Sequence, residues 1–459
     1  MNKQVIGGGL VMLTLLCFLS GVGFETLAER DMTQSSYIAL GILIIAAVAW
    51  ITEAVPLFVT GLSVLFLALV WLYPQTQSDG LDVSKDSFLV AFFSDVIVLF
   101  LGGFALSAAM NKRRLDEWIA SAIISRVGGS LPLLMLAVMV VTAFLSMWLS
   151  NTATAAMMLA MVLPITARMS DSGPGAKGLV LAVPFAANIG GLGTPVGSPP
   201  NAIALQYMTD LDLAPTFFEW MLVGVPAVIS LLVIAWFMLL WFFRDPDCRL
   251  PALKREVEIK RDVRYWLLIG TVLLTAVGWM TSSFHGYSSG TVAMVPLLIF
   301  FSCRILETKD LREMPWDILL MMGGGLCLGT VINGSGLAAW LVQQLPVSGM
   351  GPYALTVIFG ITAVSMASLM SNTATANLLI PIVMGFHVEP SSAPVMIGTA
   401  FACSLAMPLP VSTPPNAMAF SSGKIAMSDM IKPGLALTVI GILLALTVGY
   451  WWWDFVGLW

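Results

Sequence analysis

The sequence Ser-Asn-Thr-Ala-Thr occupies residues 150–154 and recurs unchanged at residues 371–375. Each copy interrupts the middle of a long apolar stretch, at 131–167 and at 352–386. Both stretches are too long for one span of about 20 residues, so each polar pentapeptide predicts the tip of a re-entrant hairpin. Irregular backbone at membrane depth must be satisfied by protein or by a wet cavity, and the two tips are therefore expected to line a cavity.

Two further motifs repeat in the same order. The glycine pair at 102–103 recurs at 323–324, with the same offset of 221 residues as the pentapeptide. Each pentapeptide is followed by a proline-rich loop, Gly193-Thr-Pro-Val-Gly-Ser-Pro-Pro-Asn201 in one case and Pro410-Val-Ser-Thr-Pro-Pro-Asn416 in the other. Three landmarks in one order indicate a duplicated unit. The glycine pairs are interpreted as positions of close helix packing.

Composition places the chain among polytopic membrane proteins. Hydrophobic residues make up 58% of the 459 residues and charged residues only 10%, against about 25% charged in soluble domains. No basic tract suits a nucleic acid, so we expect no nucleic-acid partner. The five cysteines are scattered and form no CxxC motif, which gives no support to a disulfide framework or a metal cluster.

The apolar runs outside the two hairpins predict eleven transmembrane helices. They are placed at 5–23, 37–53, 56–73, 94–110, 178–208, 217–243, 265–282, 289–303, 316–334, 394–423 and 433–453. The fifth and the tenth contain the Pro-Pro-Asn motif and are expected to break there, because proline cannot continue the hydrogen bonding of a helix. The predicted fold class is an all-α polytopic membrane protein with eleven transmembrane helices and two re-entrant hairpins.

The positions of lysine and arginine orient this arrangement in the bilayer. With the N-terminus inside, nineteen of the twenty-one lysines and arginines fall in cytoplasmic segments, and only Arg30 and Lys85 lie outside. The C-terminus then lies outside, and we expect the cell (inner) membrane as the location. The first hairpin enters from the cytoplasm and the second from outside, so residues 37–243 and 265–453 form an inverted repeat.

Three other segments complete the predicted organisation. Residues 1–36 comprise an N-terminal span and an outside loop. Residues 244–264 mix seven basic with five acidic residues and predict a cytoplasmic amphipathic linker helix. Residues 454–459 form a tail on the outside.

The chemistry predicted for the membrane interior is neutral. No lysine or arginine falls within the spans, which disfavours anion recognition by a buried arginine, and the acids lie near span ends, which disfavours a proton relay. Hydroxyl and carbonyl oxygens suit a dehydrated alkali cation, whereas amide, hydroxyl and helix-start N–H groups suit a carboxylate. Since an uncompensated buried anion is costly, bound Na⁺ is the expected counter-charge.

At the paired Ser-Asn-Thr motifs and the loop at 193–201, the chain resembles the divalent anion/sodium symporter family. That family groups bacterial sodium–dicarboxylate carriers with animal sodium–carboxylate and sodium–sulfate cotransporters, and the resemblance covers essentially the whole chain. It implies import of a C4-dicarboxylate such as succinate, malate or fumarate, with Na⁺ as the coupling ion. It also implies a homodimer in the lipid bilayer that works by an elevator-type alternating-access motion.

The resemblance also implies a set of site residues. Carried over to this sequence, one Na⁺ site falls on Ser146, Ser150, Asn151 and Gly197, and the symmetric site falls on Ala367, Met370, Asn372 and Ser412. The carboxylates would meet Ser150, Asn151, Thr152 and Ser198 on one side and Ser371, Asn372, Thr373, Thr413 and Pro414 on the other. Ala367 departs from the pattern, because its mirror residue Ser146 carries a hydroxyl and Ala367 does not.

Other functions are weighed against this one. A Na⁺-independent dicarboxylate exchanger, or a carrier of another dianion such as sulfate or citrate, is the alternative within transport. A membrane-embedded enzyme is disfavoured because the sequence contains no HExxH motif and no histidine is predicted at membrane depth. A channel is disfavoured because mirrored hairpins that enter from opposite faces suit alternating access better than an open pore.

Overall fold

The computed structural model describes residues 3–127, 129–169, 173–246, 248, 250, 258–344, 350–386 and 391–457, with side chains from residue 6 onward. The regular structure of these residues is helical throughout. The first half contains α1 (Lys3–Leu19), α2 (Phe24–Ala28), α3 (Gln34–Thr52), α4 (Leu57–Leu67), α5 (Tyr73–Ser78), α6 (Lys85–Val90), α7 (Asp95–Lys112), α8 (Leu115–Ile124), α9 (Leu131–Ser146), α10 (Asn151–Thr166), α11 (Pro174–Gly190), α12 (Pro199–Asp210) and α13 (Phe217–Phe242). The second half contains α14 (Val263–Met280), α15 (Ser282–His285), α16 (Ser289–Ser302), α17 (Thr308–Arg312), α18 (Trp316–Gly334), α19 (Leu337–Gln344), α20 (Pro352–Leu369), α21 (Asn372–Met384), α22 (Ala393–Ser404), α23 (Pro414–Ser421), α24 (Met427–Leu444) and α25 (Tyr450–Phe455).

The helices have the lengths and compositions of membrane spans. In the described part of the chain, nine helical segments are long and apolar enough to cross a bilayer. Two of them run through π-helical turns, at Ala68–Leu72 and at Ala445–Gly449, which join α4 to α5 and α24 to α25. Shorter apolar helices include α1, both arms of the first hairpin, α16 and α22. The prediction of an all-α polytopic membrane protein is confirmed.

Both polar pentapeptides form tips between two helices. The first hairpin consists of α9 and α10, which are separated by residues 147–150, and the second consists of α20 and α21, which are separated by residues 370–371. Ser150 caps α10, because its Oγ accepts a hydrogen bond from the Ala153 N–H at 3.2 Å. The polar residues therefore end one arm and begin the other in the middle of an apolar stretch.

Both Pro-Pro-Asn motifs begin the second part of a broken helix. The asparagine of each motif closes the break by donating to backbone carbonyls that the helix leaves free. Asn201 Nδ2 donates to the carbonyls of Gly191 (2.8 Å) and Thr194 (2.9 Å). Asn416 Nδ2 donates to the carbonyls of Met407 and Leu409, both at 3.2 Å. These bonds stabilise irregular backbone that lipid could not satisfy.

The two halves interlock through equivalent pairs of helices. Helix α7 packs on α16, and its mirror α18 packs on α4. Likewise α10 packs on α23, and α12 packs on α21. The glycine pairs serve these contacts as interpreted: a Cβ on Gly102 would collide with the Ala293 carbonyl, and a Cβ on Gly324 would collide with Gly61. Each hairpin thus lies against the broken helix of the opposite half.

Some elements differ from the sequence prediction. Short helices α8 and α19 precede the two hairpins and were not predicted, because they have only 10 and 8 residues and are too short to register as spans. The predicted linker helix falls largely on residues 247, 249 and 251–257, which lie outside the described residues. The described residues at 258–262 are not helical, and α14 begins after them, at Val263.

Candidate binding site at the hairpin tips

A cleft lies where the two tips and the two helix breaks meet. Polar side chains and backbone line one side of it: Ser150, Asn151, Thr152, Asn188, Gly197, Asn372, Thr373 and Thr413. The other side is apolar and includes Phe100 and Phe104 of α7 and Ile318 of α18. None of the described residues that line the cleft carries a charge. Among the described residues, the cleft therefore offers only neutral groups to a ligand.

Four helices begin at this cleft. Their first residues are Asn151 of α10, Pro199 of α12, Asn372 of α21 and Pro414 of α23. The N-terminus of a helix presents free N–H groups and about half a positive charge, so it favours an anion. The convergence of four such ends supplies positive potential in the cleft without a lysine or arginine.

The first tip gathers oxygen atoms around the side-chain amide of Asn151. Ser146 Oγ lies 2.5 Å from Asn151 Oδ1 and donates to the Ala187 carbonyl at 2.8 Å. With the amide turned over, Asn151 Nδ2 instead donates to the carbonyls of Gly197 (3.0 Å) and Ala187 (3.2 Å). The oxygens of Ser146, Gly197 and Ala187 thus converge on the Asn151 amide, whose nitrogen satisfies them in this orientation. Convergent hydroxyl and carbonyl oxygens are the ligands of a hard cation, so these residues fit Na⁺.

Glycines let the backbone approach this amide. A Cβ on Gly191 would lie 2.7 Å from both the Oδ1 and the Nδ2 of Asn151. A Cβ on Gly197 would lie 2.6 Å from the Gly191 carbonyl oxygen. No side chain fits at either position, and the Gly197 carbonyl can therefore reach the oxygen cluster.

The second tip is built differently. Ala367 is fully buried and offers no hydroxyl, and Asn372 Oδ1 accepts from the N–H of Thr373 at 2.8 Å. Ser412 reaches this tip by donating to the Ser368 carbonyl at 3.3 Å. The side-chain oxygen of Asn372 is thus occupied locally, whereas the side-chain amide of Asn151 faces the oxygens of Ser146, Gly197 and Ala187. The two tips are equivalent in position but not in their hydrogen bonds.

The residues before each Pro-Pro motif connect the two halves. Asn188 Nδ2 donates to Thr413 Oγ1 at 3.2 Å, and Thr413 Oγ1 also accepts from the Asn416 N–H at 3.4 Å. With both lone pairs used, the Thr413 hydroxyl proton is free to bind an anion in the cleft. In the mirrored position, Ser198 Oγ lies 3.1 Å from Ser404 Oγ, and both side chains are buried.

Eight of the predicted site residues meet in the cleft lining: Ser150, Asn151, Thr152, Gly197, Asn372, Thr373, Thr413 and Pro414. The others lie outside it; Ser198 is bonded to Ser404, and Ser371 precedes α21 as its N-cap. Ser146 and Ser412 lie behind the tips, and Ala367 and Met370 are buried near the second one. The prediction missed Asn188 and the Ala187 carbonyl, which the sequence gives no reason to single out.

A larger polar cleft of about 680 Å³ leads away from the site. Ser150 and Phe104 belong to the lining of both cavities. Charged side chains mark the far region of the larger one, where Lys112 Nζ lies 2.6 Å from Asp310 Oδ2. Burial tends to raise the pKa of Asp310, but the hydrogen bonds from Lys112 and the Glu307 N–H, together with the nearby lysine charges, outweigh it and lower that pKa below its ordinary value. The site is therefore continuous with this larger cleft.

The chain is similar to known transporters along almost its whole length. Residues 47–393 match the model of a citrate transporter family. The sodium-dependent dicarboxylate transporter SdcS of Staphylococcus saprophyticus is 31% identical over an alignment that covers 97% of this chain and 90% of that protein. SdcS of Staphylococcus aureus is 32% identical with the same coverage.

A solved structure shows the same kind of fold. The YdaH transporter of Alcanivorax borkumensis superimposes with a TM-score of 0.56, over 88% of this chain and 99% of that one, at 12% sequence identity. That likeness concerns the fold alone. The family match and the two SdcS relatives carry the assignment, because each spans more than half of the chain: the chain is a transporter and belongs to the divalent anion/sodium symporter family.

Proposed function

We propose that this protein imports C4-dicarboxylates such as succinate, malate and fumarate, coupled to Na⁺. The observation that carries the proposal is an uncharged cleft at four helix N-termini beside a cluster of convergent oxygens. The names of the SdcS relatives, sodium-dependent dicarboxylate transporters, agree with it.

Electrostatics explains why the anion needs the cation. Moving a carboxylate into a low-dielectric site without compensation costs many kcal/mol, and helix ends offset only part of that. Na⁺ bound at the tips supplies the missing positive charge. A dicarboxylate therefore binds well only after Na⁺, and coupling follows from the absence of a fixed cation among the lining residues.

The ligands are assigned to the two tips. One Na⁺ is held by Ser146, Ser150, Asn151 and Gly197, to which the structure adds the carbonyl of Ala187 as a candidate. The second is held by backbone and side-chain oxygens of Ala367, Met370, Asn372 and Ser412. The carboxylates bind the Ser-Asn-Thr residues of both tips, together with Thr413 and Pro414, while Ser198 and Ser371 support the site from outside the lining.

An elevator motion suits the division of the cleft into two kinds of surface. The polar groups belong to the hairpins and broken helices, whereas α7 and α18 contribute Phe100, Phe104 and Ile318. Helix α18 also packs through glycines against the second hairpin and the first broken helix. Its Gly325 carbonyl accepts a hydrogen bond from Tyr207 Oη at 3.0 Å. In an elevator motion the substrate moves together with its polar ligands, and the apolar side chains of α7 and α18 do not bind it as it passes.

The distribution of lysine and arginine along the chain predicts the orientation of the carrier in the membrane. We place the protein in the cell (inner) membrane as a homodimer with a cytoplasmic N-terminus and an outside C-terminus. In this orientation the charged cleft around Lys112 and Asp310 opens to the cytoplasm.

A Na⁺-independent exchanger is the second candidate, and Ala367 favours it. The second tip lacks the hydroxyl that Ser146 gives to the first, which weakens one of the two cation sites. Citrate or sulfate is the corresponding alternative for the substrate, and the matching family is described as a citrate transporter.

Uptake of radiolabelled succinate into proteoliposomes separates these functions. An inward Na⁺ gradient is compared with an equal K⁺ gradient, in empty vesicles and in vesicles preloaded with succinate. The proposal predicts uptake with Na⁺ alone and without preloading. Equal uptake in Na⁺ and K⁺ that depends on preloading would establish the exchanger, and absence of uptake would direct the test to citrate and sulfate.

A further inference from the structure

We propose that Asn188 recognises the C2 hydroxyl of a hydroxylated substrate: its side-chain oxygen accepts a hydrogen bond from a 2-hydroxy-dicarboxylate such as malate. The inference rests on the proposed function, because it takes the cleft to hold a dicarboxylate. It assigns to Asn188 a role in choosing among dicarboxylates.

The orientation of the Asn188 amide is fixed by a chain of hydrogen bonds. Asn416 Nδ2 donates to the carbonyls of Met407 and Leu409, which leaves Asn416 Oδ1 as an acceptor. Asn188 Nδ2 donates to that oxygen at 3.2 Å and to Thr413 Oγ1 at 3.2 Å. Turning the Asn188 amide over would set its Oδ1 against Asn416 Oδ1, which has no proton to donate, so Nδ2 must face Asn416 and Oδ1 must face away.

The oxygen of Asn188 is left as a buried acceptor. The side chain is 1% exposed, and no described residue donates a hydrogen bond to its Oδ1. Asn188 nevertheless lines the cleft together with Asn151 and Thr413. An acceptor that is buried without a donor is costly, and a ligand that brings a donor to it gains affinity.

Among a carboxylate, a Na⁺ ion and a hydroxyl, the hydroxyl is the partner that fits Asn188 Oδ1. A carboxylate has no proton to donate and would be repelled by an amide oxygen. A Na⁺ ion needs several convergent oxygens, whereas Thr413 Oγ1 and Asn416 Oδ1, which Asn188 contacts, already receive its Nδ2 protons. A hydroxyl needs only one acceptor. Asn188 bonds across the two halves and lines the same cleft as the residues of both tips that are assigned to the carboxylates.

The mirrored position provides a matched control. Ser404 bonds Ser198 as Asn188 bonds Thr413, because Ser198 and Thr413 each precede a Pro-Pro motif. A serine hydroxyl can both donate and accept, so the Ser198–Ser404 pair satisfies itself. The amide oxygen of Asn201 on that side also has no donor among the described residues, but Asn201 lies outside the lining of the cleft. We therefore expect only the Asn188 side of the cleft to recognise the C2 hydroxyl of a substrate.

The first test uses the wild-type protein in proteoliposomes. Malate and methylsuccinate carry substituents of similar size on C2, and only malate carries a donor. Both are titrated as competitors of Na⁺-driven labelled succinate uptake. We expect malate to compete at a concentration lower by about fivefold, the equivalent of one hydrogen bond between neutral groups. Equal competition by the two compounds would overturn the proposal.

The second test compares Asn188→Ala with Ser404→Ala. The ratio of the inhibitory concentration of methylsuccinate to that of malate should fall close to one in Asn188→Ala. It should keep its wild-type value in Ser404→Ala. A ratio that survives in Asn188→Ala, or that collapses equally in both variants, contradicts the assignment. If Asn188→Ala does not fold, the wild-type comparison still decides. Failure of the proposed function is a separate result, because wild-type protein would then show no Na⁺-driven succinate uptake.

Discussion

The hydroxyl oxygen of Ser146 lies 2.5 Å from the side-chain amide of Asn151 at the first hairpin tip. The mirror residue of Ser146 is Ala367, and the side-chain oxygen of Asn372 accepts from the backbone of Thr373 instead. The inverted repeat therefore presents one tip with an extra oxygen ligand and one without. Unequal cation sites follow from this difference.

Ser146→Ala should raise the Na⁺ concentration needed for half-maximal uptake by roughly fivefold, because one neutral oxygen ligand is lost. The maximal rate at saturating Na⁺ should change less. Uptake measured against external Na⁺ checks this, with Ser365→Ala as control, since Ser365 is exposed on α20 and bonds only the Ile361 carbonyl among the described contacts. An unchanged Na⁺ dependence in Ser146→Ala would remove Ser146 from the site. The reciprocal change Ala367→Ser should lower the Na⁺ requirement.

Asn151→Ala and Asn372→Ala should each abolish uptake while the protein remains folded. Each asparagine begins a hairpin helix and lines the cleft, so its loss removes ligands that no neighbour replaces. Uptake is measured beside thermal unfolding of the purified variants. Wild-type rates in both variants would refute the assignment of the two tips.

Asn201→Ala and Asn416→Ala should destabilise the fold. Each asparagine donates to two carbonyls at a helix break, and their loss leaves buried acceptors unpaired at a cost of roughly 2–4 kcal/mol. In detergent, both variants should unfold at a clearly lower temperature than the wild-type protein. The asparagines have only a minor structural role if the unfolding temperature is unchanged.

Uptake between about pH 6 and about pH 8 should follow the concentration of the doubly ionised substrate. None of the described residues lining the cleft titrates in this range. A backbone hydrogen bond from Tyr265 lowers the pKa of Asp262, and the pKa of Asp310 is also lowered, so both carboxylates stay ionised throughout. The stabilisation from their ion pairs would be lost only in more acidic solution. Initial rates with a monoanionic and a dianionic substrate check this, and an extra protein-linked transition would contradict it.

Elevator motion predicts that a cross-link between the first hairpin and α14 stops transport. Trp148 at the hairpin tip stacks on Trp279 of α14, with ring centroids 6.5 Å apart, and both rings contact Phe217. In Trp148→Cys/Trp279→Cys, a short thiol cross-linker should block uptake. The single-cysteine variants should be insensitive to the reagent, and full activity of the cross-linked protein would exclude movement at this contact.

The sequence predicted the elements whose signals are local. Ser-Asn-Thr within an apolar run marks a hairpin tip, and Pro-Pro forces a helix to break, so both were found without knowledge of the tertiary contacts. Helices α8 and α19 were missed because 10 and 8 residues carry little periodicity.

Contacts between distant residues could not be predicted in this way. Asn188 meets Thr413 across 225 residues of sequence, and its free acceptor emerges only from the bonds of Asn416. The position of the Ala187 carbonyl at the first tip could not be predicted either, because every residue has a carbonyl and only the fold determines where it points. The different hydrogen bonds of Asn151 and Asn372 likewise depend on the packing around two identical pentapeptides.

Accumulation of succinate against its own gradient tests the central claim most directly. Proteoliposomes with equal labelled succinate inside and outside receive an inward Na⁺ gradient, and the internal concentration is followed before and after a Na⁺ ionophore is added. Na⁺-coupled transport predicts a rise above the external concentration and a return to it when the ionophore collapses the gradient. An internal concentration that never exceeds the external one would show that Na⁺ does not drive transport.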